Sequence, residues 1–403
     1  MVEEYWISDG CFYKSIERRN GTKSTSCIPT CGITIASAEN YDKVWLMQKQ
    51  TPTNTYASQM NLVDLFCGTG PMTLGVVEAG RCLGIDIVPK MAIDFKEEAA
   101  LNYKANFPTS DVRIGDITSM INGVFGEPIT KEEGELINAT GKVDFLIAGP
   151  PCQGHSDLNN HTRRNDPRNL LILRVTRFAE LTSPDYIFIE NVQGIRHDKH
   201  NILDVAKNQL RSLGYKLHEN LLLASTFGVA QKRRRFILVA TKKNVDFDIS
   251  KYNRNQTNSV LWAISDLKDA YKAEDTFNSS AKHSKVNQER IEYLFQHNLY
   301  ELPNELRPKC QQREDNRYTS VYGRMYPDKP SPTITSGFGS IGQGRFCHPL
   351  YPRSLTPHEA SRVQFIPDFF TFRDDLSRVE LQTMIGNAVP PKLTYILAVE
   401  LLR

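Results

Sequence analysis

The 403-residue chain reads as an α/β protein: a mostly parallel, mixed sheet flanked by helices and joined to a smaller, irregular domain. Three observations predict this. From residue 61 to about 242, short apolar runs alternate with helical stretches such as Ala92 to Asn106, the pattern of βαβ units. Several of those runs end in Gly, Pro, Asp or Glu, and ligands of open α/β sheets bind outside the carboxyl ends of the strands. Beyond about residue 243 the apolar runs thin out, and Asn, Gln, Lys and Arg dominate 253–258 and 311–317.

Residues 1–60 mix aromatic and β-branched residues (Tyr5-Trp6-Ile7, Ile33-Thr34-Ile35, Val44-Trp45-Leu46) with polar turns, which predicts a few strands and a linker ending at Thr51-Pro52-Thr53-Asn54. If this segment is an accessory extension, deleting residues 1 to about 55 spares chemistry; contact with DNA, pairing of protomers and completion of the core are the roles the sequence leaves open. Next comes the strand Leu62-Val63-Asp64-Leu65-Phe66. Gly68 and Gly70 then allow a tight turn close to a ligand, and a helix is predicted from Leu74. A dinucleotide fingerprint would carry a third glycine at Thr73, so the pattern speaks against a nicotinamide cofactor. The following strand is predicted at Leu83-Gly84-Ile85, ending in Asp86, whose carboxylate suits ribose hydroxyls; Asp116 ends a third. Both carboxylates also suit turns and helix N-caps.

The run Val143 to Ala148 is a central strand that opens into Gly149-Pro150-Pro151-Cys152-Gln153-Gly154. Two prolines stiffen the exit and fix the direction of the thiol, although a free cysteine is equally at home as inert packing. Tyr186-Ile187-Phe188-Ile189 is a further strand, leaving Glu190 and Asn191 at the same sheet edge. Gln231-Lys232-Arg233-Arg234-Arg235 precedes the strand Phe236 to Ala240 and is the densest cationic cluster, though short charge runs are often only a solvated edge. Ile385-Gly386-Asn387-Ala388-Val389-Pro390-Pro391 leads into an apolar helix, Lys392 to Leu402.

Composition narrows the function less. Lys plus Arg number 49 against 46 Asp plus Glu, so binding to a polyanion must come from local patches. The start, Met1-Val2-Glu3-Glu4, is acidic with no apolar h-region after it, and no apolar stretch is long enough for a bilayer. Eight cysteines form no disulfide framework, which points to a reducing, intracellular setting; Cys11, Cys27 and Cys31 lack a fourth ligand, so no metal site is expected.

Taken in order, the segments around Phe66, Cys152, Glu190, Arg233 and Asn387 resemble the motif set of the DNA (cytosine-5-)-methyltransferases, from Asn61 to Arg403 outside a variable stretch before Pro330. The resemblance implies an S-adenosylmethionine-dependent, Rossmann-like core at 61–242, a target-recognition domain at 243–345, and a return segment at 346–403 that completes the core. It implies methyl transfer to carbon 5 of cytosine in a specific duplex DNA sequence, with Cys152 adding to carbon 6 of a flipped-out base and Glu190, Arg233 and Arg235 assisting. Phe66, Gly68, Gly70, Asp86, Ile87, Asp116, Ile117, Pro150, Asn387 and Val389 would hold the cofactor. Gln153, Ser156, Arg163, Arg164 and Arg168 would close on the DNA, with Gln231, Thr333 and Thr335 behind them. Arg313, Arg317, Arg324 and Gln343 are candidates for reading bases.

Two residues depart from the usual pattern, His155 in the closing loop and Cys67 in the glycine turn. The expected partner is double-stranded DNA, bound as a monomer and without a membrane, with a cognate restriction endonuclease as a possible second component. The same chemistry on transfer RNA is the alternative, since one branch of the family acts there. A non-catalytic nucleic-acid-binding regulator is a third reading, against which the intact Cys152, Glu190, Gln231, Arg233 and Arg235 speak.

Overall fold

The computed structural model describes residues 2–8, 11–18, 21–29, 35–151, 166–199, 201–312 and 320–403. Its strands are β1 (Val2–Ser8), β2 (Cys11–Glu17), β3 (Lys23–Pro29), β4 (Ser58–Leu65), β5 (Ile85–Asp94), β6 (Asp111–Ile114), β7 (Phe145–Ala148), β8 (Tyr186–Asn191), β9 (Lys216–Leu223) and β10 (Arg234–Thr241). The helices are α1 (Ile35–Met47), α2 (Pro71–Leu83), α3 (Glu97–Asn106), α4 (Ile117–Met120), α5 (Lys131–Thr140), α6 (Ile172–Thr182) and α7 (Ile202–Ser212). They continue with α8 (Val260–Ile264), α9 (Lys285–Gln296), α10 (Pro357–Val363), α11 (Arg378–Asn387) and α12 (Pro391–Leu402).

The seven-stranded sheet runs β6-β5-β4-β7-β8-β10-β9. Pairings from β6 to β8 are parallel, and β10 runs antiparallel to both β8 and β9. Side chains alternate between two apolar layers, as a strand's period of two requires. Leu62, Phe145, Phe188 and Val239 face one layer; Val63, Leu146, Ile187 and Leu238 face the other. Burial on both faces explains why β8 reads as an unbroken apolar run. The chain moves outward from β4 through β5 to β6 and returns to β7 on the other side of β4. Such a reversal opens a crevice at the carboxyl ends of β4 and β7.

Three predicted elements are corrected. The N-terminal segment contains helix α1 where only strands were expected, because Tyr41 and Trp45, one turn apart, bury one face against the first apolar layer. Strand β5 starts at Ile85, since Leu83 closes α2 and Gly84 caps it, and it continues to Asp94 through residues predicted to be helical. Pro89 interrupts the apolar run, and the sheet absorbs it with a register shift opposite Leu62 and Val63, so that Ala92 and Ile93 still pair with Asp64 and Leu65. Helix α2 begins at Pro71, ahead of the predicted Leu74, because Gly70 supplies a left-handed N-cap and proline is favourable in a first turn.

Between 243 and 345 the described residues form α8, α9 and short 3-10 turns rather than a sheet. The final helix, α12, lies against α2. A Cβ on Gly75 would fall 2.1 Å from the Pro391 carbonyl, and Thr394 Oγ1 donates to the Met72 carbonyl at 2.9 Å.

Candidate active site

Where β4 ends, the backbone turns sharply. Phe66 has φ 61°, Gly68 φ 53° and Gly70 φ 96°, and a non-glycine residue held in the left-handed region marks a site worth the strain. A Cβ at Gly68 would meet nothing within 4 Å, so that side of the turn is open, whereas one at Gly70 would strike Phe107 and Tyr103 at 2.6 and 2.8 Å. Gly68 N donates to Asp94 Oδ2 and Lys96 N to Asp94 Oδ1, both at 2.8 Å. Burial raises the Asp94 carboxyl above its ordinary value, against the pull of those backbone donors. Phe95 follows it, 69% exposed.

Asp86 is placed differently from expectation. It is the second residue of β5, paired with Gln59 near the start of β4, on the order of 25 Å along the strand from the glycine turn. Ile87 beside it is buried core. The strand-end carboxylate is Asp94, which sequence reasoning missed. The run Met91-Ala92-Ile93 before Asp94 was the available signal, hidden by the expectation of a helix there. Asp116 does lie just beyond a strand end, β6, where its side chain accepts from Thr118 N at 2.9 Å and caps α4, with Ile117 buried behind it.

Gly149 carries the exit of β7 between the other elements. Its N–H donates to the Leu65 carbonyl at 3.2 Å, and a Cβ there would lie 3.8 Å from the Phe66 carbonyl and 3.9 Å from Glu190 Oε2. Pro150 is buried, its carbonyl accepting from Asn191 Nδ2 at 3.4 Å. Cys152, Gln153, His155, Ser156, Arg163 and Arg164 lie outside the described residues. Arg168 is exposed and grips Asp166 through Nε and Nη2 at 2.9 and 2.6 Å.

The cationic cluster divides by strand parity. Lys232 and Arg234 are exposed, while Arg233 and Arg235 turn inward. Arg235 Nε pairs with Glu190 Oε1 at 2.7 Å across β10 and β8. Glu190 is 8% exposed, and burial raises its pKa although Arg235 and Arg233 oppose the rise. Arg233 donates to the Ile334 carbonyl at 2.8 Å and to that of Asn387 at 3.3 Å.

Gln231, expected at the nucleic acid, is fully buried. Its Oε1 accepts from Ile334 N and its Nε2 donates to Gln364 Oε1, each at 2.8 Å, so both ends of the amide are used within the protein. Thr333 donates to the Lys232 carbonyl at 3.0 Å, and Thr335 accepts from Gly337 N at 3.4 Å. A Cβ on Gly386 would lie 2.2 Å from Ser336 N, so this turn rests directly on α11; Asn387 is exposed at the end of that helix and Val389 buried just beyond. Arg324 is also corrected. It is buried between Phe295 and Tyr300 with Nε on the Pro349 carbonyl at 2.8 Å, a support inside the irregular region rather than a base reader. Gln343 is exposed, and Arg313 and Arg317 lie outside the described residues.

A glycine turn, a buried carboxyl paired with arginine and a proline-stiffened strand exit thus share one sheet edge. The sequence profile of the C-5 cytosine-specific DNA methylases matches residues 60–403. The chain belongs to that family. This cytosine-specific methylase is 46% identical over 409 residues to the Type II methyltransferase M1.BsuMI of Bacillus subtilis (strain 168), covering 100% of this chain and 95% of that protein. It is 27% identical to the Type II methyltransferase M.DdeI of Desulfomicrobium norvegicum, over 84% of this chain and 88% of the relative. Among solved structures, S. pombe Dnmt2 methyltransferase shares the methylase's fold with a TM-score of 0.57 at 17% identity, over 85% of this chain and 98% of that one. The family match begins inside β4, whereas the B. subtilis relative aligns with the N-terminal sheet and α1 as well.

Proposed function

We propose that this protein transfers the methyl group of S-adenosylmethionine to carbon 5 of a cytosine flipped out of a specific duplex DNA sequence. The reading includes a restriction-modification role beside a cognate endonuclease, a monomer acting inside the cell, and the division into extension, core, recognition domain and return segment at 60, 242 and 345. Relatives named as Type II methyltransferases support the setting. Among the described residues, no helix is long and apolar enough to cross a membrane.

The residues at the crevice fit the cofactor. The open side of Gly68 leaves room for close backbone approach, Asp94 offers a carboxylate for ribose hydroxyls, and the exposed ring of Phe95 offers a stacking face; Phe66, Gly70, Asp116, Pro150, Asn387 and Val389 complete the proposed set. Asp86 and Ile87 are not part of it. When bound, S-adenosylmethionine would supply an electrophilic methyl group, the electron pair of the broken methyl–sulfur bond remaining on its sulfur as a neutral thioether.

Carbon 5 of cytosine is a weak nucleophile. The Cys152 thiolate adds to carbon 6, and the ring electrons displaced by that bond give carbon 5 the density to form its bond to methyl. Glu190 hydrogen-bonds ring nitrogen 3 and stabilises the charge building there, while Arg235 holds the carboxyl in place. Loss of the carbon-5 proton to a base then restores the ring and expels the thiolate. Ser156, Arg163, Arg164 and Arg168, with Gln153, meet the DNA, and Thr333 and Thr335 support them.

The buried, arginine-held carboxyl of Glu190 beside the glycine-proline exit to Cys152 carries this reading. Labelled methyl transfer from S-adenosylmethionine is expected on duplex DNA at one short motif. Cys152→Ser should abolish it while retaining cofactor binding. Methylation by that variant would overturn the covalent route, and label on transfer RNA alone would overturn the substrate.

A further inference from the structure

Thr73 stands where a dinucleotide fingerprint carries glycine, and the site described so far makes no use of its side chain. Its hydroxyl leaves its own helix. It donates to Asp64 Oδ2 on β4 at 2.7 Å and meets the Tyr103 hydroxyl of α3 at 3.0 Å. A threonine has one hydroxyl proton, so with that proton given to Asp64 the Tyr103 phenol is the donor to Thr73. Asp64 is 1% exposed, and Thr73 and Tyr103 are 0% exposed, so none of them can touch a ligand in the crevice.

The chain of hydrogen bonds spans the glycine turn. Asp64 lies just before Phe66, and Thr73 lies in the first turn of α2, just after Gly70. Tyr103 is at once the end of the chain and a wall of the turn, because its ring occupies the space a Cβ on Gly70 would need. Burial pushes the Asp64 carboxyl well above the usual carboxylate range, and the Thr73 hydroxyl opposes that push. We infer that Asp64, Thr73 and Tyr103 form a positioning clamp that keeps the Phe66–Gly70 turn in the shape that takes up S-adenosylmethionine. The inference rests on the cofactor reading proposed above. It explains the absent third glycine, since a glycine at 73 would remove the hydroxyl that links strand, helix and turn.

The test is calorimetric titration of the full chain with S-adenosylmethionine. Thr73→Val keeps the shape and removes the hydroxyl, and is expected to raise the dissociation constant roughly tenfold, the usual scale for a lost buried hydrogen bond. Turnover at saturating cofactor and binding of duplex DNA should stay within about twofold, a split that general loss of folding would not produce. Thr73→Ser should bind within about twofold of the parent. Parent-like affinity in the valine variant overturns the clamp, as does a serine variant as weak as valine. If valine at 73 prevents folding, Tyr103→Phe removes only the phenol oxygen and should weaken binding by about threefold or more; parent-like binding there is equally fatal. A parent protein that binds no S-adenosylmethionine overturns the cofactor reading and the clamp together, whereas parent binding with an unaffected valine variant overturns the clamp alone.

Discussion

At the residue scale, chemistry proved more legible than burial. Glu190, Arg235 and Gly149 follow from residue types at strand ends, and the fold brings them together. Gln231 and Arg324 read as exposed polar residues because a sequence does not reveal which amides and guanidiniums have protein partners; both are buried supports. Glu190→Gln keeps size and removes the titratable group, and should slow single-turnover methyl transfer by about a hundredfold or more while leaving cofactor affinity unchanged. A rate near that of the parent would make the carboxyl structural. The two carboxylates of β5 separate cleanly: Asp94→Ala should weaken S-adenosylmethionine binding by roughly tenfold or more, since a hydrogen bond to a charged group is lost, and Asp86→Ala should leave it unchanged. Equal effects at both positions would contradict the placement of the turn.

At the element scale, the alternation of apolar runs was enough to find most of the core strands, and it failed where tertiary pairing overrode a local signal. The sequence ends this strand at Asp86 and expects a helix from Ala92, and only the neighbouring β4 and β6 make the residues around Pro89 and beyond it extended. Helix α1 was hidden because three of its residues, Val44-Trp45-Leu46, suit a strand equally well. That helix also carries ionic anchors. Asp42, 1% exposed, accepts from Lys392 Nζ of α12 at 2.7 Å and also pairs with Arg254, and Lys43 reaches Asp266 at 2.5 Å. Trp45 stacks on Phe365 at 5.4 Å. The N-terminal segment is therefore built into the molecule, which favours completion of the core among the roles the sequence leaves open. Asp42→Ala leaves the buried Lys392 ammonium without its counter-charge, a loss of about 3–5 kcal/mol, and removing residues 1 to about 55 takes away the same partner together with the Trp45 packing. Chemical denaturation should report it, and an unchanged midpoint would refute the role assigned to α1.

At the scale of the whole molecule, stability is tied to acid-sensitive pairs in the return segment. Glu359 is 3% exposed and is clasped by both terminal nitrogens of Arg353 at 2.7 Å. Burial alone would raise its pKa, yet Arg353 and His348 bring it down to about 2. A folded value below the unfolded one means that the contribution is complete above about pH 4.5 and is lost as the pH falls through about 2, an effect of order 3 kcal/mol. Urea unfolding across that window should show the parent converging on Glu359→Gln as the pH drops; parallel curves would assign the stability elsewhere. The packing of α12 on α2 has a further consequence, in time rather than space. Met72 and Thr394 are 322 positions apart, so α2 must wait until α12 has been synthesised before its apolar side is covered. The nascent chain therefore carries the β4–α2 unit unfinished until α12 has emerged, and only then is the crevice complete.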